Sequence, residues 1–507
     1  CPSNVTTIGE SAFDRSEKLK EIDFTEATAL ETIGVGSFFK CANLLAFKCP
    51  SNVNTIGAWA FGECENLKEI DITEAAALET IGNNAFSMCP SLYFEFVYER
   101  EDQEITEIIK QIMTKLIVRG SHVETIKEEA FAECENLKEI DFTNATALKT
   151  IGSVAFYKCP SLLAFKCPSN VNIVGTAAFR GCENLMEVDF AEATALETIG
   201  LNAFHSCSSL LSFKCPANVT TIGNGAFGWC DNLNNIDFTE ATALETIGKN
   251  SFEVCRSILA FKCPSNVNNI GKEAFYGCDK LKEVDFTEAI ALETIEELAF
   301  SSCSSLLAFK CPCNVKIIGS SAFKSCRNLE EIDLAEATVL ETIGREAFRE
   351  CTGLLVFNRP GNVKTIGIFA FASCANLKEV DFTEAIALET IGDQAFAYCP
   401  SLEKVYLAPN VTVIGKGVLE ECPNLNFLKI PGFSPAIHIR LYTQLDEDQR
   451  SNVCITLDDI LSVYVLNPIK KSELVENSGK EVSILGQVRA RYIDSMMKRA
   501  MPIWSNH

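Results

Sequence analysis

The chain has 507 residues, and its 68 Asp and Glu residues against 44 Lys and Arg residues give a formal net charge of −24 at pH 7. Such an acidic chain repels the phosphates of nucleic acids, so we expect no nucleic-acid partner. No apolar run approaches the roughly 18 residues that a membrane-spanning helix needs. The sequence opens at Cys1 inside a phrase that recurs later in full, so we expect the true N-terminus to be missing, which leaves both secretion and the cytosol open.

A phrase of the form IGxxAFxxC recurs along the chain and sets its period. Its Phe, replaced by Leu in the last copy, stands at Phe13, Phe38, Phe61, Phe86, Phe131, Phe156, Phe179, Phe204, Phe227, Phe252, Phe275, Phe300, Phe323, Phe348, Phe371, Phe396 and Leu419. The steps alternate between 25 and 23 residues, apart from one step of 45 after Phe86. This periodicity predicts a β-rich (α/β) solenoid whose repeats occupy residues 1–92 and 122–431.

Each repeat also contains a short strand pattern, L-x-x-I-x-F, which first ends at Ile22 and Phe24. Because side chains alternate between the two faces of a strand, these two residues are predicted to point into the core. Glu21 and Asp23 are predicted to face water. In alternate repeats the pattern ends in Cys-Pro, so Cys49 is predicted to point inward and the following Pro to end the strand.

The chain resembles the BspA-like leucine-rich-repeat family in its phrase NVxTIGxxAFxxCxxL, which runs from Asn4 to Leu19, Asn52 to Leu67, Asn218 to Leu233 and Asn362 to Leu377. The resemblance covers about residues 1–430. It implies a right-handed solenoid of parallel strands, as found in bacterial surface proteins and in surface proteins of some protozoa, where it serves adhesion or protein binding. A cell-surface or extracellular location is therefore implied by the resemblance alone. The longer coils depart from the family pattern at Phe24–Gly34, where two extra residues are expected to bulge outward.

Two rows of outward residues follow the predicted strands. At one slot Asp alternates with Lys, so each Lys is predicted to meet Asp residues of both neighbouring coils. At another slot the Lys-bearing coils carry a Leu, which suits an extended protein-binding surface. The candidate binding residues on this concave face are Leu163, Lys166, Asp189, Leu211, Lys214, Asp237, Leu259, Lys262, Asp285, Leu307, Lys310 and Asp333. A solvated charge ladder that only fixes strand register is the alternative.

The chain has 24 cysteines, which suit a disulfide framework, a metal protein or a buried core. Sixteen form one column from Cys41 to Cys422, three residues after the marking Phe or Leu, and a second column ends alternate strands. A column spreads its members one coil apart, whereas zinc needs four ligands at one point, so we expect no metal site. We favour buried thiols that pack as small apolar groups. A ladder of disulfides stays open, because stacked strands lie within bonding distance.

Two segments break the repeat. In the insertion, residues 93–121, apolar side chains at helical spacing predict a surface helix over Glu104–Val118, which packs on the solenoid or binds a partner. In the C-terminal module, residues 432–507, helices are predicted over Leu457–Leu466 and Glu481–Met501. This module is expected to cap the last coil. A membrane-docking or partner-docking role is its alternative.

These patterns favour a non-catalytic protein-binding or adhesion scaffold. The four histidines are scattered and no repeated coil offers a unique nucleophile and base, so we expect no catalytic residue and no cofactor. The expected partner is a protein, such as a host or extracellular-matrix protein, with membrane contact only through the C-terminal module. Two alternatives remain: an effector whose C-terminal module carries activity or docks on a membrane, and a surface-coat protein that associates with itself through the leucine row.

Overall fold

The structure is a computed structural model that describes residues 1–430 except 73, 74, 76, 104, 359 and 360, and also residues 437, 441, 444, 445 and 454–457. The chain divides into two compact units, Cys1–Ile258 and Leu259–His507. Within each unit the strands pair in parallel and the described residues form β-solenoid coils with almost no helix, about 18 coils in all. The predicted repeat solenoid is thereby confirmed.

One set of strands is two residues long and consists mostly of a Thr-Ile pair, in which Thr faces outward and the β-branched Ile is buried. In the first unit one ladder contains Thr7–Ile8, Thr32–Ile33, Thr55–Ile56 and Thr80–Ile81, and another contains Thr125–Ile126, Thr150–Ile151, Ile173–Val174, Thr198–Ile199, Thr221–Ile222 and Thr246–Ile247. In the second unit the short strands are Asn269–Ile270, Thr294–Ile295, Ile317–Ile318, Thr342–Ile343, Thr365–Ile366, Thr390–Ile391 and Val413–Ile414.

The second set contains the strands predicted from L-x-x-I-x-F. In the first unit they are Ala46–Lys48, Glu69–Asp71, Glu95–Tyr98, Lys115–Arg119, Glu139–Asn144, Ala164–Lys166, Glu187–Asp189, Ser212–Lys214 and Asn235–Asp237. In the second unit they are Ala260–Lys262, Glu283–Asp285, Ala308–Lys310, Glu331–Asp333, Val356–Asn358, Glu379–Asp381, Lys404–Tyr406, Phe427–Ile430 and Cys454–Leu457. The central residue of each regular three-residue strand is buried between two outward neighbours, as the alternation predicted.

The marking Phe residues form the core of each unit. Successive rings stack almost in parallel, with centroids 5.2 Å apart for Phe179 and Phe204 and 5.3 Å apart for Phe204 and Phe227. A ring that stacks on both faces loses all contact with water, and Phe204 is fully buried. The repeat of one aromatic residue per coil therefore builds a continuous column by the contact of each coil with its neighbours.

Most coils carry a turn glycine that close packing between coils requires. A Cβ atom on Gly57 would lie 2.5 Å from the backbone nitrogen of Val35, and one on Gly223 would lie 2.5 Å from the carbonyl carbon of Gly200. Both contacts are shorter than any that a real side chain makes. Two coils carry another residue at this slot, Lys127 and Glu296. The Glu296 carboxylate accepts hydrogen bonds from Asn269 Nδ2 at 2.7 Å and from the Lys272 backbone N–H at 2.8 Å.

The turn around each marking Phe contains two residues in the left-handed backbone region. Val154 has φ 58° and Lys158 has φ 51°, and the same pair of slots recurs in the other coils. Left-handed φ places Cβ too close to the carbonyl oxygen and costs roughly 1–2 kcal/mol for most residues. The packing of neighbouring coils must therefore hold these residues in place.

We expect Val154→Asn to raise the free energy of unfolding by roughly 1 kcal/mol, because Asn tolerates left-handed φ and a β-branched residue does not. Asn already occupies the same slot at Asn84, Asn202 and Asn250. Guanidinium unfolding followed by circular dichroism measures the change. Ser153→Asn, one residue earlier and outside the left-handed region, is the matched control and should bring no gain. A Val154→Asn protein less stable than the parent would contradict the expectation.

The helix in the insertion is shorter than the one predicted from the sequence, which covered Glu104–Val118. The helix covers only Glu107–Ile112, and the chain then forms strand Lys115–Arg119, which pairs with Glu95–Tyr98 and Glu139–Asn144. Residues 93–121 therefore supply an additional coil, in which the helix takes the place of the short strand. Its Gln111 Nε2 donates to the Ile81 carbonyl at 3.0 Å. The last part of the predicted helix forms a strand instead, because the backbone N–H and C=O groups of Glu95–Tyr98 and Glu139–Asn144 need hydrogen-bond partners.

The insertion also begins the second ladder of short strands. The Glu101 carboxylate accepts hydrogen bonds from the backbone N–H groups of Glu124 at 3.0 Å and Thr125 at 2.9 Å. In the next coil the equivalent N–H groups, those of Lys149 and Thr150, donate to the Glu124 carbonyl of the coil before. The coil before Thr125 has a helix in place of the short strand, and the Glu101 side chain supplies the acceptor instead. Of the predicted C-terminal helices, Leu457–Leu466 and Glu481–Met501, all but Leu457 lies outside the described residues, and Leu457 ends the strand Cys454–Leu457.

Candidate protein-binding face

The four candidate leucines lie on the surface, each directly before a strand of the second set. In the first unit Leu163 and Leu211 are 44% and 48% exposed, and in the second unit Leu259 and Leu307 are each 50% exposed. Leu45 and Leu355 are exposed at the same slot in their own units. The outward side of these strands, together with the residue before each strand, is named the leucine-row face below.

Backbone pairing fixes the position of these leucines. The Leu163 N–H donates to the Lys138 carbonyl at 3.3 Å, and the Leu211 N–H donates to the Met186 carbonyl at 3.2 Å. Met186 occupies the leucine slot in the intervening coil and is 46% exposed. Leu163, Met186 and Leu211 thus form an apolar strip across three consecutive coils. The sequence prediction missed Met186, although aligning Glu187–Asp189 with Ala164–Lys166 would have found it.

The strand register places each candidate lysine opposite one candidate aspartate. The paired residues are Lys166 and Asp189, Lys214 and Asp237, Lys262 and Asp285, and Lys310 and Asp333. In the strand ladders, each of these Lys-bearing strands pairs with the Asp-bearing strand that follows it. On its other side along this face, a Lys-bearing coil is joined to its neighbour by a backbone hydrogen bond, such as that from the Leu211 N–H to the Met186 carbonyl.

These four lysines form ion pairs with glutamates rather than with the aspartates opposite them, whereas Lys48 Nζ lies 3.8 Å from Oδ2 of Asp71, the aspartate opposite it. Lys Nζ and Glu Oε1 are 3.1 Å apart for Lys166 and Glu192, 2.8 Å for Lys214 and Glu240, 3.0 Å for Lys262 and Glu288, and 3.5 Å for Lys310 and Glu336. Each glutamate lies three residues after the aspartate, where the loop leaves the strand. Since all these pairs are exposed, each contributes little to stability.

The aspartates instead end their own strands. The Asp237 Oδ1 accepts a hydrogen bond from the Thr239 backbone N–H at 2.8 Å, and Asp189 accepts one from Ala191 at 2.8 Å. Hydrogen bonds from the Thr239 backbone and side chain hold the pKa of Asp237 below its ordinary value. Carboxylates that bond two residues ahead form the Asx turns that stop a strand. This structural role accounts for the regular recurrence of Asp.

The leucine-row face of the second unit contains a crevice of about 470 Å³. Its walls are Glu330–Ala335 on one side and Leu355 and Val356 on the other. Glu330 and Glu331 are exposed carboxylates, and Asp333 is half-buried. The crevice thus has an acidic wall and an apolar wall.

The cysteines form two buried columns, as predicted. Fourteen members of the main column donate S–H to the carbonyl oxygen of a marking Phe one coil earlier, at 3.0 to 3.3 Å. Burial raises the pKa to about 12 for Cys49, Cys167, Cys215, Cys263, Cys311, Cys326 and Cys374. These protonated thiols pack as small apolar groups. Cys1 and Cys313 are exposed.

The described part of the chain shows neither a metal-binding cluster nor a membrane-spanning helix. It contains no group of three or more His, Cys, Asp or Glu side chains arranged to hold a metal ion. In the same residues, no helix has both the length and the apolar character that a membrane crossing requires.

The repeat phrase and the parallel coils agree with one protein family. The sequence profile of the BspA type Leucine rich repeat region (6 copies) matches residues 1–108, 110–234, 220–339 and 316–443. The chain belongs to the BspA-type leucine-rich repeat family. The family resemblance read from the phrase NVxTIGxxAFxxCxxL is confirmed.

Several solved structures are similar to this BspA-type chain. A leucine-rich repeat protein from Bacteroides ovatus is 22% identical, with 84% of this chain and 87% of that chain covered and a TM-score of 0.48. A leucine rich cell surface protein from Faecalibacterium prausnitzii is 18% identical, with 78% and 90% covered and a TM-score of 0.36. The pneumococcal vaccine antigen PcpA is 17% identical, with 82% and 89% covered and a TM-score of 0.41. A search of curated protein sequences gives no match.

Proposed function

We propose that this BspA-type protein is a non-catalytic scaffold that binds proteins through its leucine-row face and acts in adhesion at the cell surface. The observation that carries the proposal is the exposure of Leu163, Leu211, Leu259 and Leu307 at equivalent slots. An exposed Leu gains no burial energy in the isolated protein, whereas a partner that covers it removes apolar surface from water.

Family membership and the fold support the same conclusion. Leucine-rich repeats place their variable outward residues on a rigid stack of strands, so a binding surface can extend over many coils. The buried core accounts for the recurrence of Ile, Phe and Cys in successive coils, but it gives the exposed leucines no structural role. We propose a host or extracellular-matrix protein as the binding partner of this protein.

The proposal is tested by replacing the four leucines Leu163, Leu211, Leu259 and Leu307 with Gln. We expect beads coated with this variant to lose at least about tenfold in attachment to immobilised matrix proteins and host-cell layers, because the apolar contact area is lost. Gln keeps the charge unchanged, so electrostatic attraction is not altered.

The matched control replaces exposed apolar residues outside the leucine row, Ile173, Ile290, Ile317 and Ile386, with Gln. This variant should attach as the parent does, and circular dichroism should show both variants folded. Equal attachment by the parent and the leucine variant, or an equal loss in the control, would contradict a binding role for the leucine row.

A further inference from the structure

The leucine-row face of the second unit opens beside Leu355. Strand Ala308–Lys310 pairs with Glu331–Asp333, and strand Val356–Asn358 pairs with Glu379–Asp381. Strands Glu283–Asp285 and Ala308–Lys310 are not paired with each other either. A backbone hydrogen bond nevertheless joins their coils, since the Leu307 N–H donates to the Lys282 carbonyl at 3.2 Å. Within the described residues no corresponding bond joins Leu355 to Glu330. The result is the crevice of about 470 Å³ between the two strands.

The apolar wall of this crevice is accessible to a partner. Leu355 and Val356 are adjacent in sequence and both are exposed. In the two Lys-bearing coils of this unit the residue after the leucine is Ala260 or Ala308, so Val356 enlarges the apolar surface here. The wall is therefore larger at the crevice than elsewhere along the leucine-row face of this unit.

The acidic wall determines which partner fits. No Lys or Arg of the described chain forms an ion pair with Glu330 or Glu331. The lysine of the preceding strand, Lys310, pairs with Glu336, and the next coil carries Asn358 at the lysine slot. Arg359, which follows in the sequence, lies outside the described residues. Among the described residues, no cation therefore pairs with these two exposed carboxylates, which lie beside an apolar surface.

We propose that this crevice holds a Lys or Arg side chain of the protein partner, flanked by an apolar residue of the same segment. The aliphatic stem of such a side chain would cover Leu355 and Val356 while its charged head reaches Glu330 and Glu331. A basic segment is also drawn towards a chain with net charge −24, and an acidic segment is repelled. The inference rests on the proposed function, since it names the chemistry of the partner at the leucine-row face.

The test uses a short fluorescein-labelled peptide of alternating Leu and Arg residues and the intact protein. Two matched peptides carry Glu in place of Arg, or Ser in place of Leu. Fluorescence anisotropy should show both matched peptides binding at least about tenfold more weakly than the first. The double variant Glu330→Gln with Glu331→Gln, and the single variant Leu355→Gln, should each weaken binding of the Leu-Arg peptide by at least about tenfold.

The matched control replaces Glu245 and Glu389, exposed carboxylates that precede short strands, with Gln. It removes the same charge and should leave binding of the Leu-Arg peptide unchanged. If this control weakens peptide binding as much as the Glu330→Gln and Glu331→Gln variant does, net charge alone explains the binding and the inference is overturned. Binding of the Glu peptide as tightly as the Arg peptide would also overturn it.

The attachment assay separates failure of this inference from failure of the proposed function. If the leucine variant loses attachment while the Glu330→Gln and Glu331→Gln variant keeps it and binds the Leu-Arg peptide as the parent does, the binding face stands and the cationic partner is wrong. If the leucine variant keeps its attachment, the proposed function itself is wrong.

Discussion

The free energy of unfolding should fall steeply as the pH rises above about 8.5, and we expect the protein to unfold between about pH 9 and pH 11. Seven buried thiols have a pKa raised to about 12, with burial as the main cause. In the unfolded chain the same thiols ionise from about pH 8.5. The unfolded state therefore releases protons in this window and gains stability, while the folded state does not.

The size of the effect follows from the number of thiols. Each contributes roughly 1.4 kcal/mol per pH unit between its unfolded and folded pKa values, so seven contribute roughly 10 kcal/mol per unit. This is comparable to the whole stability of a typical domain, about 5–15 kcal/mol. Below about pH 7 both states keep their thiols protonated, and these groups leave the free energy of unfolding independent of pH.

Guanidinium unfolding at a series of pH values, with reductant present, measures this dependence. A variant with Ala in place of Cys49, Cys167, Cys215, Cys263 and Cys311 separates the thiols from other groups that titrate in this range. It should lose less stability per pH unit than the parent above pH 8.5, even if the smaller side chains lower its stability at pH 7. A stability that is the same at pH 8 and pH 11, or an equal slope in both proteins, would contradict the expectation.

The second large effect is expected from Phe204→Ala, which should lower the free energy of unfolding by about 4 kcal/mol. Phe204 is fully buried and stacks on Phe179 and Phe227, with ring centroids 5.2 and 5.3 Å away. Removing the ring leaves a cavity inside a continuous column, and both neighbours lose a contact face. Guanidinium unfolding at pH 7 followed by circular dichroism measures the loss.

Two comparisons make this expectation specific. Phe204→Leu keeps most of the buried volume and should cost less than half as much as Phe204→Ala. Phe13→Ala removes the same ring where it is 43% exposed and stacks only on Phe38, so its cost should be smaller still. Equal losses for Phe13→Ala and Phe204→Ala would show that stacking within the column does not set the stability.

Most of the fold could be read from the sequence because the repeat is strict. Phe, Cys and Ile return once per coil, and a residue with the same neighbours in every coil finds the same environment in every coil. The buried cysteine columns and the exposed leucines follow from this alternation. The insertion could not be placed so easily, because the apolar run from Ile105 to Leu116 fits a helix as well as a strand. Its 22 extra residues, close to one coil, were the better signal.

The sequence by itself determined the period, the inward and outward faces and the family, since these depend on local alternation and repetition alone. Only the tertiary structure decided which strands pair, because a repeat does not show whether the strand of Lys166 pairs with the preceding or the following coil. The ion pairs of the lysines with Glu192 and its equivalents, the place of Met186 in the apolar strip and the crevice at Leu355 were decided in the same way. Each depends on where residues about 25 positions apart meet, and loop geometry sets that distance.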